Sequence, residues 1–201
     1  NLLKFVAQHK EGDLWLLFGC TGGNRDKLKR PKMGRVAEKY ANKIILTNDD
    51  PYNEDPDAII ADIMVGIQNH SQVMQIVDRS DAIKHALENM QNKDVLVLAG
   101  KGGEKVIADI DGDYLIFRTC WVYGLDNESG FVKKVLGWSR QHETLKIVDD
   151  QISNPTWARV LAEISVQVLE KEIDYIIERK GLYHLAGAGF ASRYDWVKEI
   201  L

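Results

Sequence analysis

Four short, mainly apolar runs dominate the first half of the chain: LWLLFG at 14–19, KIILT at 43–47, VMQIV at 73–77 and DVLVLAG at 94–100. A strand with one wet face alternates apolar and polar residues, whereas these runs are apolar on successive positions, as strands covered on both faces must be. The segments between them carry helical spacing: Met33, Val36, Ala37, Tyr40 and Ala41, then Ile59, Ile60, Ile63 and Ile67, then a stretch from about Ser80 to Met90. Strands alternating with helices predict a parallel sheet with helices on both faces. Asp55-Pro56 supplies a capping carboxylate before a proline whose missing N–H costs nothing in a first helical turn, and Asp78 can cap in the same way before Arg79.

With 45% apolar and 28% charged residues among 201, the chain has the composition of an ordinary globular protein, not of a disordered one. Its formal charge of -4 gives no basic footprint for nucleic acid apart from the run RDKLKR at 25–30. No apolar run reaches the ~18 residues of a membrane span, and NLLKFVAQHK lacks the pattern of a secretory leader, so a cytoplasmic location with no membrane partner is expected. The five histidines have no His-x-x-x-His or Cys-x-x-Cys companion, so no metal site is expected. Cys20 and Cys120 read as small buried thiols.

The second half reads as a strand in YLIFRTCWVYG, a helix around Phe131 to Trp138, a strand LKIV at 145–148, a loop DDQISNPT, a long helix from about Trp157 to Leu169, a strand LYHLAG and a last helix from about Ser192. There is no internal repeat and no low-complexity linker, so the join between the halves is short.

Three glycine-rich turns compete as phosphate cradles. Gly100-Lys101 fails as a P-loop, because Val95 stands where the first glycine belongs and Gly102 where Ser or Thr belongs. Gly19-Cys20-Thr21-Gly22-Gly23 is not G-x-G-x-x-G, and Gly187-Ala188-Gly189 reads as a tight turn into the last helix. The basic residues Arg25, Lys27, Lys29 and Arg30 follow a glycine turn at the carboxyl end of a strand, where open parallel sheets take ligands; a solvated charge cluster is the plainer alternative.

FGCTGGNRDKLKRPKMG, the loop LTNDDPYNEDP, the DRSDAI helix start and VLVLAGKGGE together resemble the C-terminal domain of the Mur ligases, closest to the MurE type, over residues 1–104. That resemblance implies the part of an ATP-dependent amide ligase that closes over the nucleotide and helps bind the incoming amino acid. Arg25 would then meet a carboxylate of that amino acid, and Gly100 and Glu104 would hold its far end. Diaminopimelate-adding relatives read Asp-Asn-Pro-Arg where this chain reads Asp49-Asp50-Pro51-Tyr52. With Tyr52 in place of the arginine, lysine suits Asp50 and Glu104 better than diaminopimelate does; for Asp50 an ordinary turn carboxylate is the alternative. The central ATPase domain of that family, with its P-loop, is not in this sequence.

From Gly103 onward, YLIFRTCWVYG, FVKKVL, VDDQISNPTWA and LYHLAG resemble the C-terminal portion of dTDP-4-dehydrorhamnose reductases, extended short-chain dehydrogenases. The resemblance implies a portion that closes over a nucleotide-sugar, with Trp121 packing on the substrate and Arg118, Thr119, Asp150, Gln151, Pro155 and Thr156 shaping the pocket. An apolar core position is the alternative for Trp121. Such reductases need a glycine fingerprint for NADPH and a Tyr-x-x-x-Lys pair. Both are expected to be absent, and Lys101 has Val97 four residues before it.

The expected fold class is therefore α/β in two truncated units: a Rossmann-like, mostly parallel sheet over 1–104, incomplete at its start, and a smaller α/β substrate-binding portion over 105–201. Gly103-Glu104 belongs to both patterns and marks the crossover. No catalytic residue is assigned. ATP with magnesium and NADPH are implied by the parent families alone, without a complete site. Binding of an amino acid or nucleotide-sugar, an enzyme fragment named for its parent family, and a recombination or assembly chimera without selected function all stay open. Strand edges left unpaired would favour a homodimer or a complementing chain.

Overall fold

The computed structural model describes residues 2–23, 26–100, 103–109, 114–124, 130–171 and 178–201. The chain forms two compact units, Leu2–Gly112 and Asp113–Leu201.

In the first unit, helix α1 (Leu2–His9) leads into β1 (Leu14–Phe18), α2 (Lys29–Tyr40), β2 (Lys43–Leu46), α3 (Pro56–Met64), β3 (Val73–Gln75), α4 (Arg79–Asn89), β4 (Val95–Ala99) and α5 (Glu104–Ala108). The four strands are parallel in the order β3-β2-β1-β4. Every residue of β1 is buried because its two faces meet different helices. Leu14, Leu16 and Phe18 pack with Ala37, Ile59, Ile60 and Ile63 of α2 and α3, whereas Trp15 and Leu17 pack with Ala82, Ile83 and Ala86 of α4. This double coverage is why the runs are continuously apolar.

Both expected caps form: the Asp57 N–H donates to the Asp55 carboxylate at 3.1 Å and the Asp81 N–H to Asp78 at 2.9 Å. Helix α2 starts at Lys29, earlier than its apolar spacing implies, because Arg30 in its first turn is buried instead of solvated. Helix α5 packs Val106 and Ile107 against the α4 side of the sheet.

The second unit contains β5 (Leu115–Arg118), β6 (Val122–Tyr123), α6 (Phe131–Gln141), β7 (Ile152–Ser153), β8 (Thr156–Trp157), α7 (Ala158–Leu169), β9 (Gly181–His184), β10 (Ala191–Ser192) and α8 (Arg193–Ile200). Among the described residues its strands pair two by two: β5 with β9 and β6 with β8 in parallel, β7 with β10 antiparallel. Two expectations need correction. YLIFRTCWVYG is not one strand, because Trp121 at φ 39 breaks it between β5 and β6. LKIV is not a strand; residues 145–148 run irregularly with Lys146 and Val148 exposed, so the run has no sheet to join.

Candidate functional site

In the first unit the chain passes from β1 to β2 and β3 on one side and then returns to β4 on the other, so the order reverses between β1 and β4. At the carboxyl ends of these strands such a reversal opens a crevice. The glycine turn after β1 does not cradle a phosphate there. A Cβ on Gly19 would lie 2.3 Å from the Thr47 carbonyl oxygen, and one on Gly22 would lie 2.1 Å from that of Pro51. These glycines are used to let the 47–52 loop pack close. The Gly22 N–H also donates to the Asp50 carbonyl at 3.0 Å. The turn therefore does not fit a nucleotide phosphate.

The loop held in this way is strained. Asp50 at φ 46 and Tyr52 at φ 54 occupy the left-handed region, which a bulky side chain rarely adopts and which is retained where surrounding contacts impose it. Tyr52 is 69% exposed, with its ring against Gly23. The Asp49 carboxylate reaches Gly100 after β4: a Cβ there would sit 2.8 Å from Asp49 Oδ2 and 3.2 Å from Arg79 Nη2. Arg79, the first residue of α4, donates to the Ala99 carbonyl at 3.3 Å. Burial lowers its pKa, opposed by the attraction of Asp49, and a guanidinium stays charged through such a shift.

The basic run is divided by the structure. Arg25 lies outside the described residues. Arg30 is 1% exposed, donating twice to Glu54 at 3.1 Å and once to Asp62 at 2.8 Å, while Lys27 pairs with Glu54 at 2.9 Å. Burial works against the charge on Arg30, but the bonds to Glu54, Asp62 and Cys20 outweigh it and hold its pKa above the ordinary value. Arg30 thus ties α2 to Glu54 of the loop and Asp62 of α3, and Lys27, just before α2, joins it at Glu54, which corrects the ligand reading for this part of the run. Glu104 opens the short helix α5 and is half-buried.

In the second unit Arg118 and Thr119 are exposed at the end of β5. Trp121 is stacked on Trp196 with centroids 5.6 Å apart and planes at 11°, and Tyr123 and Phe131 close on Trp196 at 5.4 and 4.8 Å. Its backbone carbonyl accepts from the Thr156 N–H at 3.2 Å. Thr156 is buried, donating through its hydroxyl to the Asn154 carbonyl at 3.2 Å and accepting from Gly187 N–H at 3.4 Å, so it shapes the turn from within. The Pro155 carbonyl oxygen lies 2.8 Å from where a Gly187 Cβ would stand. Gln151 accepts through its carbonyl from the Arg193 N–H at 3.0 Å, and Asp150 is exposed in the turn beside it. Trp121, Gln151 and Thr156 are thus tied into one neighbourhood with Arg193, whereas Arg118 and Thr119 sit at another strand end.

Sequence reasoning missed Arg79, Asp49, Arg193 and Trp196. It also passed over a Tyr-x-x-x-Lys spacing, Tyr194 to Lys198, which corrects the expectation of its absence. Lys198 Nζ lies 5.5 Å from the centroid of the Tyr194 ring on the exposed face of α8, a cation over a ring face. Among the described residues there is no cluster of metal-ligating side chains, and no helix is long and apolar enough to cross a membrane.

The Mur ligase, glutamate ligase domain family matches residues 1–102, and the RmlD substrate binding domain family matches residues 98–201. The two matches overlap at 98–102, just before Gly103-Glu104. A UDP-N-acetylmuramoyl-L-alanyl-D-glutamate--2,6-diaminopimelate ligase of Vibrio vulnificus (strain YJ016) is 39% identical over 137 residues, 68% of this chain and 26% of that protein. The enzyme of the same name from Haemophilus influenzae (strain PittEE) is 48% identical over 99 residues, 49% of this chain and 20% of that protein. The chain thus spans about a quarter or less of the length of these curated relatives. Among solved structures, a dTDP-4-dehydrorhamnose reductase from Bacillus anthracis str. Ames in complex with NADP is 15% identical, with a TM-score of 0.45, covering 99% of this chain and 65% of that one.

Proposed function

This chain belongs to two families at once, the Mur ligase glutamate ligase domain over residues 1–102 and the RmlD substrate binding domain over residues 98–201, and from that premise we propose that it is a fusion of two ligand-binding segments that completes neither parent reaction by itself. The observation that carries the reading is the crevice in the first unit. Asp49 and Arg79 meet at Gly100, and the same 47–52 loop holds Asp50 and Tyr52 in left-handed backbone.

The ligand is an amino acid, with Asp50, Gly100 and Glu104 for its distal end; the role of Arg25 toward a carboxylate is carried by the family resemblance alone. Lysine is preferred to diaminopimelate. The relatives named above are diaminopimelate ligases, but Tyr52 offers no cation to a distal carboxylate, whereas neighbouring carboxylates suit a distal ammonium. The test is thermal melting of the full chain with millimolar lysine or diaminopimelate, because a ligand of the folded state must raise the melting temperature. A rise with lysine and none with diaminopimelate supports the proposal. No rise with either ends it, and a larger rise with diaminopimelate reverses the preference.

The aromatic group around Trp121 supports a second binding segment. Four rings, Trp121, Tyr123, Phe131 and Trp196, converge next to Gln151 and Thr156, and flat apolar walls with a few polar backbone groups suit the base and sugar of a nucleotide-sugar. Among the described residues β3 and β4 end the first sheet. Pairing of such edges with a second copy or a complementing chain is part of the same proposal, and a monomeric sedimentation profile with protected edge amides would count against it.

A further inference from the structure

The guanidinium of Arg193 lies over the face of Trp121, 3.8 Å from its centroid, with Phe131 at 4.5 Å and Trp196 at 5.5 Å. Ring faces stabilise a cation above them but leave its in-plane N–H groups unused. Among the described residues no carboxylate comes within ion-pair distance of Arg193. The acidic residue nearest in α8, Asp195, is engaged by the Ser192 hydroxyl at 2.7 Å and the Ser192 N–H at 3.2 Å in a capping box. Arg193 is half-buried, and burial pushes its pKa down, though a guanidinium stays charged through such a shift.

A flat fork of donors held against aromatic rings matches one partner well: an oxyanion approaching edge-on. The backbone sets the direction, since the Arg193 N–H is bound to Gln151 and its side chain returns onto Trp121. The arginine thus also covers part of the ring surface that a ligand base or sugar would use, and a neutral ligand would have to displace it without compensation.

We infer that Arg193 is the specificity-determining residue of the second segment, taking the diphosphate of a nucleoside diphosphate sugar and discriminating against ligands without that charge. This rests on the nucleotide-sugar reading above. Trp121 and Trp196 report on the site, because an anion drawn to Arg193 alters the cation above their rings.

The experiment titrates the full chain with thymidine diphosphate, thymidine and inorganic pyrophosphate, following tryptophan fluorescence and, independently, calorimetry. Thymidine diphosphate is expected to bind at least about tenfold more tightly than thymidine. Arg193→Met should remove that difference, bringing thymidine diphosphate to the level of thymidine, and Arg193→Lys, which keeps the charge but not the planar fork, should restore only part of it. Equal binding of thymidine and thymidine diphosphate overturns the role of Arg193 while the pocket stands. Pyrophosphate binding as tight as thymidine diphosphate, unchanged in Arg193→Met, overturns it as well. Failure of all three ligands to bind the unaltered chain overturns the nucleotide-sugar reading itself. A far-ultraviolet spectrum and melting curve for each variant separate lost binding from lost folding.

Discussion

Adding one methyl group at Gly22 should disable the first segment without touching any side chain that meets a ligand. A Cβ at this position would stand 2.1 Å from the Pro51 carbonyl oxygen and 2.8 Å from its carbonyl carbon. Reaching an ordinary contact of roughly 3.4 Å requires the 47–52 loop to retreat by about 1.3 Å. The obstacle is backbone, so no side-chain rotation relieves it. Overpacking of this kind costs about 1–3 kcal/mol, and stretching the Gly22 N–H bond to Asp50 falls within the same range. For a unit of this size the melting temperature should fall by on the order of 10 °C. Lysine affinity should fall by tenfold or more, because Asp50 and Tyr52 move with the loop. Two further glycines isolate the cause. Gly12→Ala meets the Lys93 carbonyl oxygen at 2.6 Å at the opposite, amino end of the sheet, so it should lose stability and keep lysine affinity. Gly137→Ala in α6 meets nothing within 4 Å and should gain up to about 1 kcal/mol from helix propensity. Differential melting with and without lysine reads all three. A Gly22→Ala chain that melts and binds like the original would refute the claim that this glycine holds the loop.

Two other outcomes rest on the same geometry. Asp94 accepts from the N–H groups of Asp13 and Gln91 and from the Trp15 indole at 2.7, 2.9 and 3.0 Å, and the Gln91 bond leads in holding its pKa below the ordinary value of 3.8 against burial. A depressed carboxylate leaves the folded state with fewer protons than the unfolded state, so its contribution is complete above 3.8 and disappears as pH falls through the folded value. Urea midpoints should therefore separate the original chain from Asp94→Asn at pH 7 and converge at pH 2; a gap that persists at pH 2 would show that the carboxylate charge is not its source. The second unit should also open before the first, because among its described residues only Val135, Trp196 and Val197 are buried apolar side chains, whereas β1 alone supplies five to the first unit. Hydrogen exchange should find the amides of β5 and β9 less protected than those of β1 and β2, and equal protection would contradict the inference.

The first sheet was legible because each strand is covered on both faces, which writes a continuous apolar run into the sequence. The caps at Asp55 and Asp78 were legible because capping depends on neighbours two or three residues away. The second unit was harder to read: its ladders β6 with β8 and β7 with β10 are two residues long, too short for any periodicity. LKIV shows the ambiguity of a short apolar run, which has the composition of a strand but no partner here. The sites divided in the same way. The turn residues Asp50 and Tyr52 stand out locally, whereas Asp49 meets Arg79 and Gly100 only through the parallel register of β1, β2 and β4. Arg193 reads as an ordinary helix-surface charge until Trp121 and Phe131, distant in sequence, are brought under it.

The two segments hold their ligand-facing groups by different physics, and this bears on why a join at 98–104 can be tolerated. In the first unit the site geometry is imposed by backbone: close-packed glycines, left-handed Asp50 and Tyr52, and the buried Arg30 tie all act within residues 2–100. In the second, position is set by side chains stacking around Trp196, which α8 carries at the far end of the chain, together with β10 against β7. Of the junction residues described, Gly103 lies close to Ile83 and the helix after it packs onto the first sheet, so the seam is absorbed as one more covering element. A crossover between Trp121 and Thr156 would cut a pairing on which the second segment depends, whereas 98–104 covers the last residues of β4 and the start of α5.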